Sequence, residues 1–223
     1  DITILDKDTL LYFIEKFNDD AIVGVSAHFL DDGTNAINNA FGSKRKKRIS
    51  ESALLKRIWA FTGAPAISGN RIWLAGLRGS FDPSKEYTEV FAGPGGMAFR
   101  REIIHELFDG FLFALYEKGI GKGEDKYISM KAIKYGKLAF IGKPCILHPS
   151  HPSHYYDNVE SFAKRELFSR YILSLRYAEI HGVPKWLAKT HFLYYALWRI
   201  LLASARCIIG PKKNCIDILK GKI

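Results

Sequence analysis

Residues 121–142 read GKGEDKYISMKAIKYGKLAFIG, and this stretch combines a turn, a helix start and a strand. Glu124 and Asp125 follow the glycine-rich turn at the place where the helical pattern begins. Because carboxylates favour the positive N-terminal end of a helix, the pair predicts a helix that begins at this point. The apolar segment 137–142 predicts a strand after that helix. Helix capping is the simplest explanation of the acidic pair, and a catalytic carboxylate is the alternative.

The composition indicates a folded, basic protein. The chain has 223 residues, of which 48% are hydrophobic and 25% are charged, and its formal net charge is +10. Such a surface attracts polyanions, which include nucleic acid, phosphorylated metabolites and an anionic membrane face. Three cysteines without a C-x-x-C spacing argue against a disulfide framework and a structural zinc site, and favour a cytoplasmic setting. The opening DITILDKDTL is typical of a domain interior, so we expect an N-terminal part to precede it.

The order of the predicted elements indicates an α/β domain followed by a helical extension. Apolar, β-branched runs predict strands at 21–29, 70–76 and 137–142. Helical patterns begin at Asp8 and Ser50, after the glycines of 93–96, at the DNVE capping box of 157–160, and after Pro184. The first helix has apolar residues at helical spacing, namely Leu10, Leu11, Ile14 and Phe17. We therefore predict one domain over residues 1–156 and a helical extension over residues 157–223.

The last predicted helix, roughly 185–208, is largely apolar but interrupted by cations. Arg199 and Arg206 are seven residues apart, so they share one helix face. This pattern favours an amphipathic segment, which either packs on the domain or lies in a membrane interface, over a spanning helix. The basic run GSKRKKR at 42–48 is either a solvated loop or a contact for phosphates or anionic lipid. An anionic membrane surface is therefore a predicted partner.

A glycine cluster, GPGGMA at 93–98, fits the G-x-G-x-x-A pattern of dinucleotide-binding folds. However, the preceding KEYTEVFA predicts a poor buried strand, and Pro94 occupies the turn that would hold the phosphates. The cluster is therefore either a tight turn or a place where the backbone approaches a ligand closely. The chain lacks G-x-S-x-G, H-E-x-x-H and P-loop motifs, which excludes the most familiar hydrolase and nucleotide-binding signatures.

Three segments occur in an order that resembles family 2 glycosyltransferases of the inverting GT-A fold. They are GGMAFRRE at 95–102, GED at 123–125 and a histidine in ILHPSHPSH at 146–154. The resemblance covers roughly residues 1–180. It implies a GT-A-like mixed sheet flanked by helices, with the nucleotide-binding N-terminal half of the fold outside this chain.

The resemblance also implies the site residues. Asp125 is the implied catalytic base, and the residues implied to bind acceptor and donor are Gly95, Gly96, Glu124, Arg100 and Arg101. The implied divalent metal, Mg²⁺ or Mn²⁺, is held by Asp1 as the last acid of an Asp-x-Asp segment and by His148, with His151 and His154 as alternatives.

The substrates implied are a nucleotide-diphosphate sugar donor and the hydroxyl of a glycan or lipid-linked acceptor, used in the cytoplasm or at the inner face of the cell membrane. The second class of function is a non-catalytic binding module, either a degenerate transferase or a basic nucleic-acid binder. Aromatic and basic residues do mix between 155 and 179, but their helical spacing is typical of core packing, so we expect no nucleic-acid partner.

Overall fold

The computed structural model describes residues 3–31, 85–90, 96–117, 123–148, 158–209 and 215–223. These residues fall into two compact units, a sheet unit that ends at residue 148 and a helical unit that begins at residue 158. Three sequence predictions lie outside the described residues, namely the strand at 70–76, the helix from Ser50 and the basic run 42–48. The domain division at 156/157 also falls between described segments and stays a prediction.

The described elements follow the predicted order of strands and helices, and the class is mixed α/β. In chain order they are β1 (Thr3–Ile4), α1 (Thr9–Lys16), β2 (Ile22–Asp31), β3 (Tyr87–Val90), β4 (Met97–Phe99), a 3₁₀ turn (Arg101–Ile103), α2 (Ile104–Leu107), α3 (Gly110–Glu117), α4 (Glu124–Ala132), β5 (Lys137–His148), α5 (Val159–Ile180), α6 (Lys185–Ile209) and α7 (Cys215–Lys220). The strands predicted at 21–29 and 137–142 are confirmed as β2 and β5, and both extend further than the apolar runs.

The sheet has five strands and is mixed, and its centre is the parallel pair β2 and β5. The other edge of β5 pairs antiparallel with β3 near its start and with β1 near its end. Strand β4 pairs antiparallel with β2, and this pairing sets Met97 opposite Ser26 and Phe99 opposite Gly24. A side chain at Gly24 would come within 2.6 Å of Leu138, so this position requires glycine for the strands to pack.

One face of the sheet packs on α1 through Phe13, which is buried against Val25, Ala27, Ala139 and Ile141. Of the apolar residues whose spacing predicts this helix, Leu10, Leu11 and Ile14 lie away from the core and are more than half exposed. Phe17, in contrast, packs against this core together with Tyr12. Aromatic rings bury more apolar area than leucine does. Because Phe13 and Phe17 are four residues apart, they lie on one side of the helix and pack on the sheet, while the leucines lie on the other side.

The helical unit is built on the pair α5 and α6, which are joined by residues 181–184. Ser174 Oγ donates to Ala188 O at 3.3 Å, and the ring of Tyr171 lies 5.0 Å from that of Phe192. Gly182 has φ 66° at the end of α5, as expected of a glycine that ends a helix. The cap of α5 differs from the prediction: the side chain that caps it is Asn158, which accepts from Ser161 N at 2.9 Å, rather than Asp157.

Candidate active site at the start of helix α4

Helix α4 begins where the acidic pair predicts it. Gly123 precedes the helix with φ 101°, a left-handed conformation that residues other than glycine rarely adopt. Glu124 and Asp125 form the first turn, where the free N–H groups and the helix dipole favour negative charge. The carboxylate of Asp125 accepts from the backbone N–H of Lys126 at 2.8 Å, which fixes its orientation on the outside of the turn.

The hydroxyl of Ser129 joins this helix start to the glycine turn. Ser129 is fully buried, and its Oγ donates to the carbonyl of Asp125 at 2.6 Å and lies 3.6 Å from Met97 Sδ. Met97 directly follows Gly96, which has φ 71°. Helix α4 therefore contacts the residue that follows Gly96 at a point one turn, roughly 6 Å, beyond Asp125. Two segments about thirty residues apart in sequence are thus brought together, whereas Gly95 lies outside the described residues.

The carboxyl group of Glu124 is in an unusual environment. Its Oε2 atom is buried and finds no hydrogen-bond partner in the described part of the chain. Burial raises the pKa of Glu124 above its ordinary value, and the neighbouring charge of Asp125 raises it further. The carboxylate of Asp125 accepts a backbone N–H, whereas Oε2 of Glu124 has no partner among the described residues, so the two adjacent groups lie in different environments.

A second buried polar atom without a partner belongs to Ser26 on β2. The residue is 2% exposed, and its Oγ has no hydrogen-bond partner in the segments that the structure describes. Because Ser26 and Met97 are directly opposite in the antiparallel pair, their side chains share one face of the sheet. Buried polar atoms without partners are rare in native proteins, and they mark places where water or a ligand completes the hydrogen bonding.

Helix α4 is held in place by Asp109, which the sequence analysis did not single out. Its Oδ2 accepts from the Tyr127 hydroxyl and from Lys131 Nζ at 2.8 Å, and its Oδ1 accepts from Leu112 N at 3.1 Å. Burial acts to raise the pKa of Asp109, but these three donors outweigh it and lower the pKa below 3.8. The available signal was the Asp-Gly pair at the start of α3, which is typical of a helix cap.

Arg100 lies at the far end of β4 from Gly96. Its Nε donates to Ile22 O at 2.8 Å, and its Nη2 donates to Phe17 O at 2.7 Å. Three residues of strand span about 10 Å, so these contacts are at the start of β2 and away from the glycine turn. They give Arg100 a structural role in joining α1 to the sheet, and its predicted role in donor binding stays a prediction. Arg101 is exposed at the start of the 3₁₀ turn.

The predicted metal ligands lie largely outside the described residues. Asp1, His151 and His154 are not described. His148 ends β5, where its backbone pairs in register with Asp31 at the carboxyl end of β2. Among the segments that the structure describes, no group of three or more His, Cys, Asp or Glu side chains could hold a metal ion. The described residues therefore do not by themselves form the implied metal site.

Comparison with known proteins gives no match. The chain matches no protein-family model, and neither a curated protein nor a solved structure matches it. A functional proposal therefore rests on the motifs of the sequence and on the geometry around the start of α4.

Proposed function

We propose that the protein transfers a sugar from a nucleotide-diphosphate sugar to an acceptor hydroxyl with inversion, and that Asp125 is the catalytic base. One observation carries the proposal: Ser129 joins the GED segment of α4 to the strand that follows the glycine turn. These are the two segments that a GT-A-like transferase requires in one pocket. The mixed sheet, in which β2 and β5 are parallel and β4 is antiparallel, is compatible with the general α/β class of the proposal.

The chemistry assigned to Asp125 is removal of the acceptor proton. An alcohol is a weak nucleophile, and a carboxylate within hydrogen-bond reach accepts its proton as the new C–O bond forms. The oxygen attacks the anomeric carbon on the face opposite the nucleoside diphosphate, which leaves with the electron pair of the broken bond, so that the configuration inverts. The orientation of Asp125 by Lys126 N suits this task, because a fixed base loses little entropy on reaction.

Glu124 and Gly96 are assigned to binding rather than to proton transfer. The buried Oε2 of Glu124, which has no partner among the described residues, suits a group that hydrogen-bonds a hydroxyl of the acceptor or the donor. Gly96 has φ 71°, which lets the backbone turn sharply next to the bound substrates. Gly95, Arg100 and Arg101 remain proposed contacts of the donor or acceptor.

A divalent metal, Mg²⁺ or Mn²⁺, is part of the proposal through Asp1 and His148, although neither side chain is described. When bound, such an ion would neutralise the charge that develops on the diphosphate. The proposed acceptor is a glycan or a lipid-linked sugar, and the proposed location is the cytoplasm or the inner face of the cell membrane.

The rival proposal, a binder of nucleic acid, needs aromatic and basic side chains on one exposed face. In the helical unit such side chains pair with each other inside the fold. Arg170 and Arg199 lie over the buried ring of Tyr195 at 5.6 and 5.9 Å, and Arg170 also pairs with Glu166. These contacts hold Arg170 and Arg199 within the helical unit, which argues against a nucleic-acid surface built from them.

The proposal is tested by calorimetric titration of the full-length protein with UDP and GDP, with and without Mn²⁺, and by transfer assays over a panel of nucleotide sugars. We expect metal-dependent binding of one nucleoside diphosphate and its release from the matching sugar donor. RNA binding at two salt concentrations is the control. Steeply salt-dependent RNA binding without nucleotide binding would replace the transferase by the nucleic-acid binder.

A further inference from the structure

Helix α6 of the helical unit carries apolar side chains on its outer side. The exposed members share one helix face, and we call them the α6 stripe: Trp186, Leu193, Leu197, Leu201 and Ile208. Their exposed fractions lie between 49% and 81%. With spacings of seven and four residues they fall on one side of a 3.6-residue helix, and they extend over roughly 33 Å. Scattered exposed leucines are ordinary, but five large apolar side chains aligned on one helix face favour a contact surface, in which the exposed Thr190 is a polar interruption.

Helix α6 has a charged side chain on its packed side and leucines on its exposed side, which is the reverse of an ordinary surface helix. Arg199 stands on the packed side, where it lies over Tyr195, while Leu193 and Leu197 face outward. The packed side is completed by small and aromatic residues, namely Ala188, Phe192, Tyr195 and Ala203. The described part of the helical unit therefore leaves these leucines exposed, and a second environment could cover them.

The charge around the α6 stripe is positive. Helix α6 contains no Asp or Glu in its 25 residues. Lys185 and Lys189 are exposed, and Lys189 is one turn before Leu193 on the same side. Over residues 158–209 and 215–223 the sequence has ten Lys and Arg against four Asp and Glu. This charge is complementary to an anionic surface.

A shallow hollow of about 280 Å³ adjoins the stripe, and it is lined by Tyr171, Lys189, Phe192 and Leu193. Three of these side chains are apolar or aromatic, and the lysine stands beside them. Long lysine side chains lay their carbon chain on apolar surface and keep the ammonium group at a polar boundary. The hollow therefore has the chemistry of the boundary between lipid headgroups and acyl chains.

A second copy of the chain is a poorer occupant of this surface. An isologous dimer through the stripe would bring Lys185 and Lys189 towards the same helix of the partner, which offers no carboxylate to neutralise them. A spanning helix is also not the explanation, since none of the described helices is long and apolar enough to cross a bilayer. An amphipathic helix that lies along the surface has the features observed here, with aromatic and aliphatic residues on one side and lysines beside them.

We propose that the α6 stripe docks the protein on an anionic membrane, with the leucines at the level of the acyl chains and Lys185 and Lys189 at the lipid phosphates. This proposal does not depend on the transferase activity, because it rests on the helical unit alone. It assigns the membrane contact to the outward face of one helix, between Trp186 and Ile208.

The test is sedimentation of the full chain with vesicles of phosphatidylcholine containing about 30 mol % phosphatidylserine, compared with pure phosphatidylcholine. We expect binding to the anionic vesicles only. The double variant Leu193→Asn and Leu197→Asn should bind at least about tenfold more weakly, because two leucines no longer enter the apolar region. The variant Lys185→Gln and Lys189→Gln should bind about fivefold more weakly per lysine at low salt, and the difference should shrink at high salt.

The matched control is the double variant Leu10→Asn and Leu11→Asn on α1. These leucines are 61% and 55% exposed, against 66% and 55% for Leu193 and Leu197. Because all four side chains are exposed, both double variants should fold, which a thermal melt checks. Vesicle binding should be unchanged in the α1 variant. Equal loss in the two double variants, or no binding by the unchanged protein, would overturn the proposal.

Two further measurements distinguish a membrane from a second copy of the chain as the partner of the α6 stripe. Brominated lipids should quench tryptophan fluorescence of the bound protein, and the quenching should fall in Trp186→Phe. Sedimentation velocity should show the same mass for the unchanged protein and for the Leu193→Asn and Leu197→Asn variant. A dimer that this variant dissociates would assign the stripe to a second copy and sink the membrane proposal, as would quenching that Trp186→Phe leaves intact.

Discussion

Helices α4 and α6 use their side chains in opposite ways. Helix α4 has the polar sequence EDKYISMKA, yet most of it is inaccessible to solvent, and the buried residues are Tyr127, Ile128, Ser129, Met130 and Ala132. Helix α6 is long and mostly apolar, yet five of its large apolar side chains are exposed. Hydrophobic content alone therefore does not decide which helix is buried in this protein.

The difference has a physical cause in the partners that each helix finds. Several polar groups of α4 are hydrogen bonded: Tyr127 and Lys131 donate to Asp109, and Ser129 donates to Asp125 O one turn earlier in the same helix. Oε2 of Glu124, in contrast, has no partner among the described residues. A polar helix can be buried when its polar atoms are hydrogen bonded. In α6 the described residues cover one side, and the apolar side chains of the other side are exposed. A buried, hydrogen-bonded helix such as α4 can hold catalytic groups in position, whereas the exposed apolar face of α6 can bind another surface.

The largest effect is expected from Asp125→Asn, which tests whether α4 is the chemical centre. If Asp125 removes the acceptor proton, its loss should lower the transfer rate by about 10²–10⁴-fold, while nucleotide binding stays nearly unchanged. The assay is release of nucleoside diphosphate at saturating donor, with binding measured by calorimetry. Asp8→Asn, at the start of α1, is the matched control because it changes a carboxylate at another helix start of the same unit. Normal turnover by Asp125→Asn would remove α4 from the mechanism.

The next effect concerns the two sides of the helical unit. Leu173 on α5 is 1% exposed, so Leu173→Ala leaves a cavity and should lower the free energy of unfolding by about 2–5 kcal/mol. Leu197 on the α6 stripe is 55% exposed, and Leu197→Ala should change the free energy by less than about 0.5 kcal/mol. Urea denaturation measures both. Similar losses in the two variants would mean that the stripe is covered within the isolated protein.

A smaller effect is expected when the anchor of α4 loses its charge. Asp109→Asn should destabilise the protein by about 1 kcal/mol, because the side chain of Asp109 is about a third exposed and solvent screens its pair with Lys131. The folded state lowers the pKa of Asp109, so its contribution is complete above the ordinary value of 3.8 and is lost as the pH falls through the lowered value. The difference in urea midpoint between the two proteins should therefore be present at pH 7 and decline in strong acid.

The exposed pair on α5 provides the control for Asp109. Arg176 and Glu179 lie 2.7 Å apart at spacing i, i+3, with half of the Glu179 side chain exposed. Glu179→Gln should cost less than about 0.5 kcal/mol at any pH, since exposed pairs contribute little. A larger loss in Glu179→Gln than in Asp109→Asn would contradict the view that Asp109 anchors α4.

The fold could be predicted where local signals coincide. The apolar, β-branched runs predicted β2 and β5, Gly123 with the acidic pair predicted the start of α4, and Gly182 with Pro184 predicted the junction of α5 and α6. Which side of α1 packs on the sheet could not be predicted, because the helix has apolar residues on two sides. Helices α3 and α7 were not predicted, since each is short and has few strong start signals.

The candidate site could be predicted only in part. The motif GED identified Glu124 and Asp125. The role of Asp109 depends on hydrogen bonds from Tyr127 and Lys131, which are 18 and 22 positions later in the sequence, and no local pattern connects them. Arg100 shows the reverse case, because its position beside the glycines suggested a ligand contact, while the strand carries its side chain to carbonyls at the other end of β4. Closeness to a motif in sequence therefore does not show closeness in space when a strand separates the two residues.

The smallest effect is expected from Glu124→Gln, and it tests whether this buried carboxyl group is adapted to binding rather than to stability. The pKa of Glu124 is raised above 4.5, chiefly by burial, so the folded state disfavours its charged form. Its protonated form therefore favours folding below 4.5, and this advantage is lost as the pH rises through the raised pKa. Glu124→Gln removes the buried charge and should increase the free energy of unfolding at pH 7–8 by under about 1 kcal/mol, with no gain below pH 4.5. Thermal melts across this pH range measure the difference, and a loss of stability in the variant at neutral pH would show that the carboxylate is stabilised by a partner instead.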